Sequence, residues 1–107
     1  MGTVLVVEDP LVSKLVKSVL QRHGYEVKMA ARAEAAALLE QPDSDIGILL
    51  TNSPAIFLEF CERVPLLYLT SSPDMLLESA FNWCRVVIKP FVPEDLVRAV
   101  SELAEAV

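Results

Sequence analysis

Along the chain the spacing of apolar positions switches repeatedly between two periods. Thr3 to Val7 is a short β-branched run that stops at Glu8-Asp9-Pro10, the pattern of a buried strand. Leu11, Val12, Leu15, Val16, Val19 and Leu20 then fall three and four apart. They predict an amphipathic helix that ends at His23-Gly24, with the glycine as a left-handed cap. Tyr25, Val27 and Met29 alternate with Glu26 and Lys28, which reads as a half-buried strand near a sheet edge. Arg32 to Glu40 is rich in Ala and Leu and predicts a second helix on propensity. Ile46 to Leu50 is a third strand, bounded by Asp45 and by Thr51-Asn52-Ser53-Pro54. Ala55 to Arg63 then predicts a short helix through Ile56, Phe57, Phe60 and Cys61.

Pro65 to Leu69 is the fourth apolar strand, closed by Thr70-Ser71-Ser72-Pro73-Asp74. In that group Ser72 is the expected helix cap, Pro73 fits the first turn, and Asp74 faces the positive end of the dipole. The fourth helix is expected to run to about Phe81, with Asn82 as a left-handed cap and the adjacent Trp83 as a packing residue. Arg85 to Ile88 is the last strand. Pro93 opens a fifth helix with Leu96, Val97, Val100, Leu103 and Val107 on one face and an Ala-rich flank at Ala99, Ala104 and Ala106. Glu94, Asp95, Arg98, Glu102 and Glu105 lie mostly opposite. The β-α unit thus repeats five times, and even the shortest crossover, Leu50 to Pro65, leaves fourteen residues for its helix. Continuous apolar strands alternating with amphipathic helices predict an α/β fold, a doubly wound parallel five-stranded sheet covered on both faces.

Composition narrows the class. The 107 residues suit one domain, residues 1–107, with a core that needs no staples. Nine Lys plus Arg against fifteen Asp plus Glu give a net charge of −6, which argues against nucleic acid as the main partner. The apolar runs are too short to span a membrane, and no basic start with an apolar stretch suggests a signal peptide. Cys61 and Cys84 lie at no metal-ligand spacing and are expected as buried thiols in a reducing, cytoplasmic setting.

In a doubly wound sheet the site lies beyond the carboxyl ends of the strands. Those ends carry Glu8 and Asp9 on strand one, Leu50 and Thr51 on strand three, Thr70 and Ser71 on strand four, and Lys89-Pro90 on strand five. Two carboxylates, hydroxyls and one ammonium are expected on one rim. No Gly-rich phosphate loop follows strand one, and no Ser-His-Asp or Cys-His set is present, because His23 belongs to the opposite end of the sheet.

Three segments, Val4-Leu5-Val6-Val7-Glu8-Asp9, Pro65-Leu66-Leu67-Tyr68-Leu69-Thr70 and Val87-Ile88-Lys89-Pro90-Phe91, resemble the receiver domain of response regulators. The likeness extends over the whole chain in order and implies the CheY-like, flavodoxin-like three-layer fold of two-component phosphorelay systems. In that family an acidic pair after strand one holds Mg²⁺, and an Asp ending strand three accepts a phosphoryl group. A Thr or Ser after strand four and a Lys before a Pro after strand five contact the phosphate. By resemblance Glu8 and Asp9 match the acidic pair, Thr70 the hydroxyl and Lys89 the lysine. The acceptor departs from the pattern. Five residues on from Asp45 and four back from Pro54 both give Leu50, which has no nucleophilic atom. The aromatic switch residue three before the lysine is also missing, and Val86 stands there.

The resemblance therefore implies a pseudo-receiver, not an enzyme, that binds protein partners independently of phosphorylation. Lys89 is expected to serve as counter-ion to Glu8 or Asp9, with no cofactor required and Mg²⁺ at Glu8 and Asp9 weak or vestigial. Asp9 alone could instead be the cap of the first helix, and Thr70 could cap the loop that follows it. The implied partners are a histidine kinase or an output domain, with a homodimer through the fourth helix, fifth strand and fifth helix as a further option. Two other readings stay open: a phosphoacceptor using another carboxylate such as Asp9, and a small flavodoxin-like ligand-binding domain.

Overall fold

Five strands pair in parallel in the order β2-β1-β3-β4-β5, where β1 is Thr3–Val7, β2 Val27–Met29, β3 Ile46–Thr51, β4 Leu66–Thr70 and β5 Cys84–Ile88. This computed structural model describes residues 2–106. The crossovers are α1 (Pro10–Arg22), α2 (Arg32–Glu40), a 3-10 segment (Pro54–Phe60), α3 (Met75–Ala80) and α4 (Pro93–Ala106). The predicted doubly wound α/β sheet is the one observed, and the fourth and fifth predicted helices are α3 and α4. Val107, placed by periodicity on the last helix's apolar face, lies outside the described residues.

Side chains alternate across the sheet and build two cores. Val4, Val6, Ile48, Leu50, Leu67, Leu69 and Val87 meet Val16 and Leu20 of α1 and Leu96, Val100 and Leu103 of α4. Leu5, Val7, Leu49, Leu66 and Tyr68 meet Ala35 and Leu39 of α2, Phe57 and Phe60 of the 3-10 segment, and Phe81. Trp83 packs against the first core, as its place in the sequence suggests. The short β2 is one edge strand and β5 the other, and Gly24 takes φ +85 beyond the end of α1, a left-handed turn that favours glycine.

Four local expectations change. The apolar stripe of α1 is wider than the side that meets the sheet. Val16, Val19 and Leu20 are buried with Ser13, while Leu11 and Leu15 stand 80% and 52% exposed. Leu11 lies one residue, about 100°, round the helix from Val12, and Leu15 likewise from Val16. The connection after β3 is 3-10 rather than α, interrupted at Phe57 (φ −117, ψ 18). Its buried residues Pro54, Phe57 and Phe60 recur every three positions, the repeat that brings them onto one side of a three-residue turn.

Asp74, not Ser72, caps α3: its Oδ1 accepts the N–H groups of Leu76 (2.9 Å) and Leu77 (3.4 Å), and Pro73 lies outside the helix. The Ser72 N–H instead donates to Thr70 Oγ1 at 3.1 Å. The helix ends because Phe81 turns to extended backbone (φ −89, ψ 135) and sinks into the second core. Among the described residues no non-glycine residue has positive φ, so Asn82 is not a left-handed cap.

Cys61 and Cys84 are free thiols that pack against the second core from its margin, so they are partly buried rather than buried as expected. Burial, then the nearby Glu78 carboxylate, pushes the Cys84 thiol up to about 11, with Arg85 pulling weakly the other way. At pH 8 the folded chain then holds roughly a hundredfold less Cys84 thiolate than the unfolded one. In a Cys61→Ala background, iodoacetamide at pH 8 should alkylate Cys84 at least ~10-fold more slowly folded than in urea, allowing for the greater intrinsic reactivity of a more basic thiolate. Because the raised value keeps the proton on the folded form, this group's contribution to stability falls as pH rises from about 9 towards 11. Equal alkylation rates, read by mass spectrometry, would contradict the partly buried placement of Cys84.

Candidate functional site

β1 and β3 are neighbours while their crossovers leave in opposite directions, so the carboxyl ends of these two strands form the switch point of the sheet. Glu8 follows β1 with the same parity as Val4 and Val6, which turns its side chain towards the α1–α4 side. Lys89 follows β5 with the parity of Val87 and reaches the same place. Lys89 Nζ stands 3.0 Å from Glu8 Oε2, with the Glu8 side chain 0% and the Lys89 side chain 26% exposed. The contact is a charge pair outside hydrogen-bond alignment, since Oε2 has no hydrogen-bond partner. Glu8 Oε1 accepts the Asp9 N–H at 3.3 Å, and the Glu8 carbonyl accepts Ser13 Oγ–H at 3.1 Å.

Asp9 does a different job. Its Oδ1 accepts the N–H groups of Leu11 and Val12, both at 3.1 Å, and so caps α1 ahead of Pro10. Of the two counter-ion candidates for Lys89, it is Glu8 that makes the pair.

Leu50 is 0% exposed and packs in the first core, between Val6 on β1 and Leu67 on β4 in the sheet register. It shares its parity with Ile48, so hydrocarbon lies on the side of the sheet that Glu8 and Lys89 close above. Thr51 is also fully buried, and its Oγ1 accepts the Ser53 N–H at 3.1 Å. The Thr70 hydroxyl oxygen is taken by the Ser72 N–H, the turn-capping role, while the Thr70 carbonyl accepts the Lys89 N–H at 2.9 Å and ties the ends of β4 and β5 together. Val86 is half-buried against the second core and pairs in register with Tyr68, so an aromatic stands on the neighbouring strand, itself buried.

The rim thus brings Glu8 and Lys89 into contact, keeps Asp9 next to them as a cap, and turns Thr70 into its own loop. Beside it opens a cleft of about 340 Å³ lined by Val7, Glu8, Asp9, Ala30, Ala31, Arg32, Thr51 and Asn52. Arg32 and Asn52 are additions to the residues singled out from the sequence. Arg32 reaches the cleft because β2 lies beside β1, so the β2–α2 turn borders the end of β1. Recognising β2 as an edge neighbour of β1 would have found it. Among the described residues no three His, Cys, Asp or Glu side chains cluster as metal ligands do.

No family model matches this chain, and no curated protein is similar to it. Solved structures are. The chemotaxis response regulator CheY4 of Vibrio cholerae superposes with a TM-score of 0.80 at 23% identity, over 96% of this chain and 98% of that one. A response regulator receiver protein from Sinorhizobium medicae WSM419 matches with a TM-score of 0.76 at 19% identity, over 98% and 96%. NtrX from Brucella abortus matches with a TM-score of 0.81 at 18% identity, over 98% of this chain and 26% of that longer one. The fold is that of CheY-like receiver domains. Among the described residues no helix is long and apolar enough to cross a membrane.

Removing one partner of the Glu8–Lys89 pair strands a charge. Lys89→Met should lower stability by about 2–3 kcal/mol, below the upper range for enclosed pairs because Lys89 keeps some water access. The double variant Glu8→Leu/Lys89→Met should recover most of that loss, since well-packed hydrocarbon replaces such pairs at little cost. Urea midpoints of the two single variants and the double give the coupling directly. A value near zero would mean that the pair is a surface contact.

Proposed function

We propose that this chain is a receiver-like signalling module that works through phosphorylation-independent protein contacts. The observation that carries the reading is the closed pair of Glu8 and Lys89, whose side chains are mostly buried, with Leu50 packed as hydrocarbon at the end of β3. An acyl phosphate needs a carboxylate to form on and cations to offset its charge. Here Leu50 supplies no nucleophile, and Lys89 already neutralises Glu8.

The same residues speak against a working Mg²⁺ site. One Glu8 oxygen faces the ammonium, the Asp9 Oδ1 serves as a helix cap, and Leu50 offers no oxygen. A hard divalent cation takes several oxygen ligands in near-octahedral array, and in this reading the module needs no metal and performs no chemistry of its own. Asp9 as a substitute acceptor is disfavoured by its cap, which phosphorylation would break.

In this reading the partners are proteins of a two-component pathway, a histidine kinase or an output domain. The surface of α3, β5 and α4 is a place for a homodimer: Met75, Leu76, Ile88 and Val92 are exposed there.

Incubation with acetyl phosphate should add no phosphoryl group by intact mass, and beryllofluoride should leave the amide spectrum unchanged. A label mapped to the end of β3 or to Asp9 would overturn the proposal. Leu50→Asp separates two causes. Phosphorylation gained there leaves the missing carboxylate as the sole defect, whereas none means that the Glu8–Lys89 closure blocks the pocket as well.

A further inference from the structure

The two edges of the sheet, β2 and β5, are finished differently. On β5 the Arg85 side chain lies back along its own strand. Its Nη1 donates to the Cys84 carbonyl at 3.0 Å, and its Nε pairs with Glu102 of α4 at 3.4 Å. A charged side chain over an edge is a guard against strand addition. On β2 the backbone bonds alternate. The Glu26 carbonyl accepts the Val4 N–H at 2.8 Å, and the Ala30 N–H donates to the Val6 carbonyl at 3.1 Å. Glu26, Lys28 and Ala30 therefore turn their backbone groups towards β1. Those of Val27 and Met29 turn outward with the Ala31 N–H, and among the described residues none of them is bonded to another part of the backbone.

The surroundings of this open edge set a sign. Tyr25 and Val27 pack towards the first core, and Met29, of the same parity, stands 38% exposed beside α1. There a shallow groove of about 470 Å³ is lined by Met29 with Lys14, Lys17 and Arg22, and its described lining residues include no carboxylate. α1 has no Asp or Glu, and among the described residues none of these three cations is in an ion pair. Lys28 and Glu26 lie on the other side of the strand and offset each other, so the net positive charge sits on the α1 side. A chain of charge −6 thus sets its unpaired cations beside an unpaired sheet edge.

We propose that the edge of β2 takes up an extended acidic segment of a protein partner as a sixth strand. The segment's backbone bonds to Val27, Met29 and Ala31, and every second side chain, a carboxylate, faces Lys14, Lys17 and Arg22. The inference deepens the phosphorylation-independent reading and rests on it. Main-chain bonds supply the affinity of an added strand, and alternate side chains supply its specificity. From Val27 to Ala31 the extended backbone is about 16 Å long, a match for roughly five residues of partner. Charge complementarity selects an acidic segment. A nucleic acid backbone fits less well, because phosphates accept from N–H groups and leave the Val27 and Met29 carbonyls without donors. A second copy fits less well too: two-fold pairing of β2 with β2 sets the two α1 cation rows side by side.

The test is a titration of the ¹⁵N-labelled full chain with a blocked seven-residue peptide of alternating Val and Glu. Two control peptides carry Lys for Glu, or a methyl group on every peptide nitrogen, which keeps the charges and removes the donors. Expected is saturable binding of the Val/Glu peptide that slows amide exchange at Val27, Met29 and Ala31 at least ~10-fold. Met29→Pro removes an outward donor and no bond to β1, so it should fold and bind at least ~10-fold more weakly, whereas Met29→Ala should retain binding. The Lys14→Glu/Lys17→Glu/Arg22→Glu variant should lose at least ~10-fold as well. No saturation at millimolar peptide, or equal binding of either control peptide, overturns the proposal. So does protection gained along β5 instead, tighter binding of a duplex oligonucleotide, or protection of β2 that grows with chain concentration alone. The phosphodonor result is independent: failure here without phosphorylation leaves a module that docks elsewhere, whereas phosphorylation with peptide binding intact removes the functional reading itself.

Discussion

A carboxylate with no solvent exposure must be paired, and the Glu8–Lys89 contact is how this fold meets that requirement. It draws together the ends of β1 and β5, strands that β3 and β4 hold apart in the sheet. Isolated burial of either charge would cost several kcal/mol, so the two side chains fix each other's place across the top of the sheet. Asp9, next in sequence, is released from this duty and caps α1, which sets where that helix begins. Leu50 completes the arrangement from below. With hydrocarbon at the end of β3, the first core extends up to the pair, and two charges remain to be balanced where a carboxylate at the same position would bring a third.

The consequence for function lies in what such a rim can respond to. A receiver switch works by adding charge to a site prepared for it. Under the proposed reading, a site that is already neutral and lacks an acceptor takes no chemical input, and selective information arrives through surfaces. Among the described residues none of the cations of α1 and β2 is in an ion pair, which fits that view. In an acidic chain, cations without carboxylate neighbours keep their full field for a partner.

Much of this was legible in the residues themselves. Periodicity located all five strands, because each buried strand is a short apolar run ended by a polar cluster. The counts from Asp45 and Pro54 that meet at Leu50 take their lengths from the receiver pattern that the chain resembles. What the sequence could not decide was competition for the same atoms. Asp9 and Glu8 were equivalent claimants for Lys89 until the free N–H groups of Leu11 and Val12 took the Asp9 carboxylate. Ser72 and Asp74 were similarly rival caps, resolved when the Ser72 N–H turned back to Thr70. Apolar residues also outnumber the buried positions on α1, so Leu11 and Leu15 read as core from spacing yet face outward. Arg32 depends on strand order, a tertiary property that no local pattern records.

The most direct measurement of whether the rim is closed is a Mg²⁺ titration followed by amide shifts of Glu8, Asp9, Asn52 and Lys89. A rim neutralised by Lys89 predicts small, linear shifts that do not saturate at ~10 mM metal, because one or two exposed carboxylate oxygens hold a hydrated divalent ion weakly. Saturation at micromolar metal, with the largest shifts at Glu8 and Asp9, would show an open acidic site and contradict the closed pair on which this description rests.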